Sequence, residues 1–108
     1  MTSQTIRAAL EGMLDERAVF AADIKAILDG WLQTEPGKIM AGRMNDKVSD
    51  YPASVLIVCW ISVSQHTVEW IDQNCPNHWA RPMFATQAAE IPRTELQRRF
   101  DAIAEELA

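Results

Sequence analysis

Residues 51–74, YPASVLIVCWISVSQHTVEWIDQN, limit what this chain can fold into more than any other stretch. They hold the densest apolar run and two of the four tryptophans. Local preference leans to strand, because Val55, Ile57, Val58, Ile61 and Val63 are β-branched and Trp60 is aromatic. Three features argue for helix. No turn signal separates VLIVCWISV from SQHTVEWIDQN. Leu56, Trp60, Val63, Thr67 and then Trp70 or Ile71 continue one row at helical spacing. Ser49 and Asp50 can cap, and Pro52 is tolerated in a first turn, where its missing N–H has no partner to lose. Asn74 and Pro76 supply the stop. The pattern predicts one helix over 52–74, with a strand at 55–63 as the alternative.

This helix has two unlike halves. Ser62, Gln65, His66, Glu69, Asp72 and Gln73 share one polar arc, which predicts a solvated face on the C-terminal half. On the N-terminal half Val55 and Val58 occupy the same direction, so that half is apolar all round and requires a cover. Either the chain covers it, or Val55 and Val58 mark the seam of a homodimer.

The rest of the chain supplies further helices. Over 3–33, Ile6, Leu10, Met13, Phe20, Ile24, Ile27 and Trp31 form an apolar row in which Arg17 fills the one missing place. Gly12 weakens that helix and Asp15 can cap a fresh start, so the region is one long helix or a hairpin broken near Asp15. Pro36-Gly37 predicts a turn, 38–44 a short helix, and 45–50 a loop. Pro76 and Pro82 prevent one continuous helix after 74, although a turn of helix over 77–81 capped by Asn77 is compatible with them. Pro92 opens a last helix in which Leu96, Phe100, Ile103 and Leu107 form an i, i+4, i+7, i+11 stripe. The sum is an all-α fold: a four- to five-helix bundle around a central helix at 52–74, one domain over 1–108. The alternative is α+β with 55–63 as a strand.

Composition narrows the function classes. A chain of 108 residues with 48% hydrophobic residues can bury a core without metal or disulfide help. A net charge of −5 argues against nucleic acid as a partner, since phosphates would be repelled. No basic start followed by an apolar core marks a signal peptide, and no run approaches the roughly 18 apolar residues of a membrane span. Cys59 and Cys75, if both lie on or near one helix, would stand about 24 Å apart at roughly 1.5 Å per residue, too far for a disulfide. The expected setting is cytoplasmic.

Four constellations bear on chemistry. Residues 79–84, WARPMF, put Trp79, Arg81, Met83 and Phe84 in a proline-bounded loop, which either folds back onto the bundle or offers an aromatic and arginine anchor to a protein partner. Cys59, His66, Cys75 and His78 are zinc-ligand types, but Cys59 and His66 would lie about 10.5 Å apart along one helix, too far to share a metal. Ser62, His66 and Glu69 imitate a hydrolase set, yet a mid-helix serine has no free N–H groups beside it for an oxyanion. Gly37-Lys38 lacks the upstream glycine of a phosphate loop, because Leu32 stands there. No metal or cofactor is expected. The reading is a non-enzymatic protein-interaction module, a small adaptor or an inhibitor docking on a larger complex. Small acidic inhibitors made by phages and plasmids, anti-CRISPR proteins among them, have this size and charge. The alternatives are a self-assembling homodimer, and a small metal-binding protein or enzyme using His66, Glu69, Cys75 and His78.

Overall fold

The computed structural model describes residues 4–17 and 19–107. Residues 3 and 18 of the helical region expected over 3–33, and the ends of the 1–108 domain, lie outside them. The fold is all-α, with helices α1 (Ile6–Asp15), α2 (Ala21–Trp31), α3 (Glu35–Met40), α4 (Ala53–Asn74), α5 (Arg81–Ala88) and α6 (Arg93–Leu107). Single 3₁₀ turns occupy Ala41–Arg43 and Val48–Asp50. Residues 55–63 are helical, which excludes the strand alternative.

The central helix forms almost over the expected span but enters differently. Pro52 is its N-cap, with no side-chain cap, because Ser49 and Asp50 are taken up in the 3₁₀ turn before it. Helices α2, α5 and α6 all run antiparallel to α4. Trp31 meets Ser62 while Phe20 lies by Asn74; Arg81 meets Asp72 while Gln87 meets Trp60; Arg93 meets Glu69 while Glu106 lies by Val55. Between them they bury eight successive residues of α4, Val58 to Gln65.

That burial reaches part of the polar arc expected to be solvated. Glu69, Asp72 and Gln73 are exposed, but Ser62 and Gln65 are buried. Both have partners. Trp31 Nε1 donates to Ser62 Oγ at 2.9 Å, and Gln65 Nε2 donates to the carbonyls of Ala88 at 3.1 Å and Ile91 at 3.2 Å. A buried polar group with such partners costs little, whereas one without them is strongly destabilising. The N-terminal half of α4 departs the other way, since Ile57 is exposed and that half is not covered all round.

The N-terminal region resolves as a hairpin. Gly12 is not the breaker, because it lies inside α1, and Asp15 does not cap α2 but ends α1. The chain turns after Asp15, with Arg17 N and Val19 N both donating to the Leu14 carbonyl. Val19 takes the buried place that the periodicity gave to Phe20. Arg17 stands in the apolar row because its guanidinium lies 4.8 Å over the Trp60 ring, where a cation is attracted to the π face.

Two joints hold the short elements. The first N–H groups of a helix have no partner inside it, and in α1 those of Ile6 and Arg7 donate to the carbonyls of Asp46 and Met44, each at 3.0 Å. Val48 N returns a bond to the Gln4 carbonyl at 2.8 Å. Pro36 and Gly37, expected as a turn, form the first turn of α3 behind the Thr34 cap; a proline loses no hydrogen bond there. Gly37 is required by the α2–α3 corner, where a Cβ would sit 1.9 Å from the Trp31 carbonyl oxygen.

The same substitution therefore has opposite signs at two glycines. Gly12→Ala, which meets nothing within 4 Å, is expected to raise unfolding free energy by about 0.5–1 kcal/mol. Gly37→Ala is expected to lower it by about 1–3 kcal/mol or more. Urea denaturation of both variants checks this, and a neutral Gly37→Ala contradicts the corner geometry. His66 gives a pH test. Burial against α2, the first cause, and the charge of Arg93 lower its pKa from 6.5, outweighing the opposing charge of Glu69. The folded protein then binds this proton less readily than the unfolded chain. Its stabilising share is complete above about pH 6.5 and is lost as pH falls through the lower folded value. Melting temperature is expected to drop between pH 7.5 and 5, with a shallower drop in His66→Gln.

Candidate functional site

The connection from α4 to α5 and the first half of α5 carry the residues singled out in the sequence, and the structure divides them. WARPMF is not a loop, because α5 begins at Arg81 with Pro82 in its first turn. Phe84 is 0% exposed and packs on Trp60 at 6.0 Å between ring centroids, so it belongs to the core. Arg81 grips Asp72 through Nε–Oδ1 at 2.5 Å and Nη2–Oδ2 at 3.1 Å, which holds the Asp72 carboxyl below its usual range. Its guanidinium fastens α5 to the last turn of α4. Met83 is partly exposed beside Arg17, Thr86 and Gln87. Trp79 is 62% exposed.

Trp79 is nevertheless held. Its ring stacks on His78 at 6.0 Å and 21°. His78 is fixed in turn: its backbone N donates to the Cys75 carbonyl at 2.9 Å, and Ala80 N donates to its Nδ1 at 3.1 Å. In this contact Nδ1 is the acceptor, which leaves Nε2 as the ring's donor nitrogen. An exposed indole on a fixed backing presents area with little ordering left to do on contact.

Beside it lies a cleft of about 260 Å³ between the start of α2 and the end of α4. Phe20, Trp70, Ile71 and His78 give its apolar and aromatic walls; Asp23, Asn74 and Cys75 give its polar ones. Phe20 is 78% exposed. Periodicity missed this residue because Val19 and Phe20 are adjacent apolar candidates for one inward place. Which of the two faces inward depends on tertiary packing. Asp23 and Asn74 carried no signal in the sequence, as each is an ordinary polar residue near a helix end.

The other candidates separate. Val55 and Val58, 5% and 3% exposed, share a groove with Arg99, Ala102 and Ile103 of α6, so the chain's own last helix covers them and they do not form an open seam. His66 and Glu69 lie with Arg93 in a small polar recess, whereas Cys75 and His78 line the aromatic cleft. Among the described residues, no three His, Cys, Asp or Glu side chains converge as metal ligands. No described helix is long and apolar enough to cross a membrane.

The two cysteines give a direct test of this placement. Burial pushes the Cys59 thiol up to about 12, while Cys75 is half-buried at the cleft. Iodoacetamide at pH 8 is expected to alkylate Cys75 in the folded protein and Cys59 only in denaturant, as read by peptide mass spectrometry. Native-state labelling of Cys59 would mean that the middle of α4 is open.

With this geometry in view, the chain matches no protein-family model, no curated protein and no solved structure.

Proposed function

We propose that this chain is a non-enzymatic protein-docking module, an adaptor or an inhibitor, that seats a protein partner on the end of the bundle that carries Phe20, the cleft Phe20 lines, and Trp79. One observation carries the reading. Two large aromatics stand 78% and 62% exposed at one end of a fold whose other phenylalanines, Phe84 and Phe100, are fully buried. Such a patch raises the cost of staying in water and marks contact surfaces, and tryptophan is enriched among the residues that dominate binding energy. The net charge of −5 favours approach by a basic partner and speeds its encounter.

The enzymatic alternative loses support from the same geometry. Ser62 is buried with its oxygen engaged by Trp31, so it is not presented as a nucleophile. Glu69 is paired with Arg93 at 2.5 Å.

Phe20→Ala combined with Trp79→Ala tests the proposal. Both side chains are exposed, so the double variant is expected to melt within a few degrees of the parent. It is expected to lose the partner that the parent recovers from lysate of the source cells. Undiminished recovery by a folded double variant would show that the partner binds elsewhere.

A further inference from the structure

Resting on that docking reading, we propose that the cleft beside Phe20 and Trp70 receives the guanidinium group of an arginine side chain from the partner protein. The cleft, at about 260 Å³, lies just under the roughly 300–1,000 Å³ of pockets for whole small molecules, so its size suits one inserted side chain. Its walls favour a flat cation. Phe20, Trp70 and His78 contribute aromatic rings to its lining, and arginine is the cation that stacks on aromatic rings most readily.

Two of its polar side chains, Asp23 and Asn74, offer hydrogen-bond acceptors; His78, whose Nδ1 is taken by Ala80 N, and Cys75 are the other polar members of the lining. Asp23 is the one acidic residue of the lining, no lysine or arginine lines it, and no described basic group lies within 4.0 Å of the Asp23 carboxylate. Asn74 has its Nδ2 committed to the Trp70 carbonyl at 2.9 Å, which leaves Oδ1 as a further acceptor. A guanidinium carries five N–H donors and no acceptor, and it meets a carboxylate two bonds at a time.

The helix ends do not reverse this preference. The start of α2 contributes roughly +0.5 of a charge and the end of α4 roughly −0.5, and each acts only within its terminal turn. They offset one another and leave the full charge of Asp23. The last turn of α4 carries no basic side chain of its own to occupy that place.

The test uses the full ¹⁵N-labelled chain, titrated with the Nα-acetyl amides of arginine, lysine, leucine and citrulline, the last matching arginine in shape without its charge. The arginine amide is expected to shift the Trp70 indole N–H and the Asn74 side-chain amide saturably at millimolar concentration. It should bind about two- to fivefold tighter than the citrulline amide, the scale of one exposed charge pair. Asp23→Asn, a change at a surface position, is expected to remove that difference while Phe20→Ala weakens both. Lysine, leucine or citrulline amide binding as tightly as arginine, or no saturable shift with arginine, would overturn the proposal. These outcomes are separable from failure of the docking reading. If the arginine amide fails while Phe20→Ala with Trp79→Ala still loses the partner, the docking end stands and the cleft's preference falls. If arginine binds as expected while partner recovery is unchanged, the preference stands and the docking end falls.

Discussion

A helix buried on every side through two turns has polar side chains to place as well as apolar ones to cover. In α4 that stretch runs from Val58 to Gln65; Ser64 Oγ lies buried without a partner, and the two polar members that have partners, Ser62 and Gln65, decide where the neighbours sit. Ser62 accepts the Trp31 indole and so sets the height of α2. Gln65 reaches the carbonyls of Ala88 and Ile91, and so ties α4 to the end of α5 and the approach to α6. Trp60 completes the set with Phe84 and Gln87 on α5 and Arg17 from the N-terminal hairpin. Apolar contact alone tolerates sliding, whereas directed bonds in a dry interior fix a register.

That account also explains what the sequence discloses. The span of α4, the stripe of α6 and the all-α class are visible because long periodic patterns report a buried face. Ser62 and Gln65 read as solvated because a wheel assigns polar residues outward and cannot see that Trp31 and two carbonyls await them. Pro36-Gly37 and Arg81-Pro82 read as breaks because prolines and glycines stop helices in their interiors; in first turns they do not. Of the exposed aromatic residues at one end of the bundle, Trp79 was legible as a tryptophan in a proline-bounded segment. Phe20 was not, because Val19 and Phe20 are adjacent apolar residues and only tertiary packing buries the first and exposes the second. Phe84 and Arg81, equally prominent in the sequence, are spent on the core and on Asp72.

The antiparallel arrangement concentrates charge and aromatic surface at one place. The end of α4 meets the starts of α2, α5 and α6. Two of its carboxylates are neutralised by the helices that follow, Asp72 by Arg81 and Glu69 by Arg93. Asp23, on the helix that precedes, has no such counter-ion among the described residues. The acidic character of the chain is therefore expressed locally, next to the exposed rings, as well as in its total.

The latch between α1 and residues 44–48 has a consequence for how this chain can vary. Its bonds run from backbone N–H to backbone carbonyl on both sides: Ile6 to Asp46, Arg7 to Met44, and Val48 back to Gln4. None of them reads a side chain. Asn45 and Lys47, exposed between the bonded positions, are thus free to drift through generations of substitution while the joint persists. The exception is a proline at Ile6, Arg7 or Val48, which would delete a donor outright. The first helix is held by a fastening that leaves almost no mark in composition, so two descendants of this chain can share it without sharing a residue there.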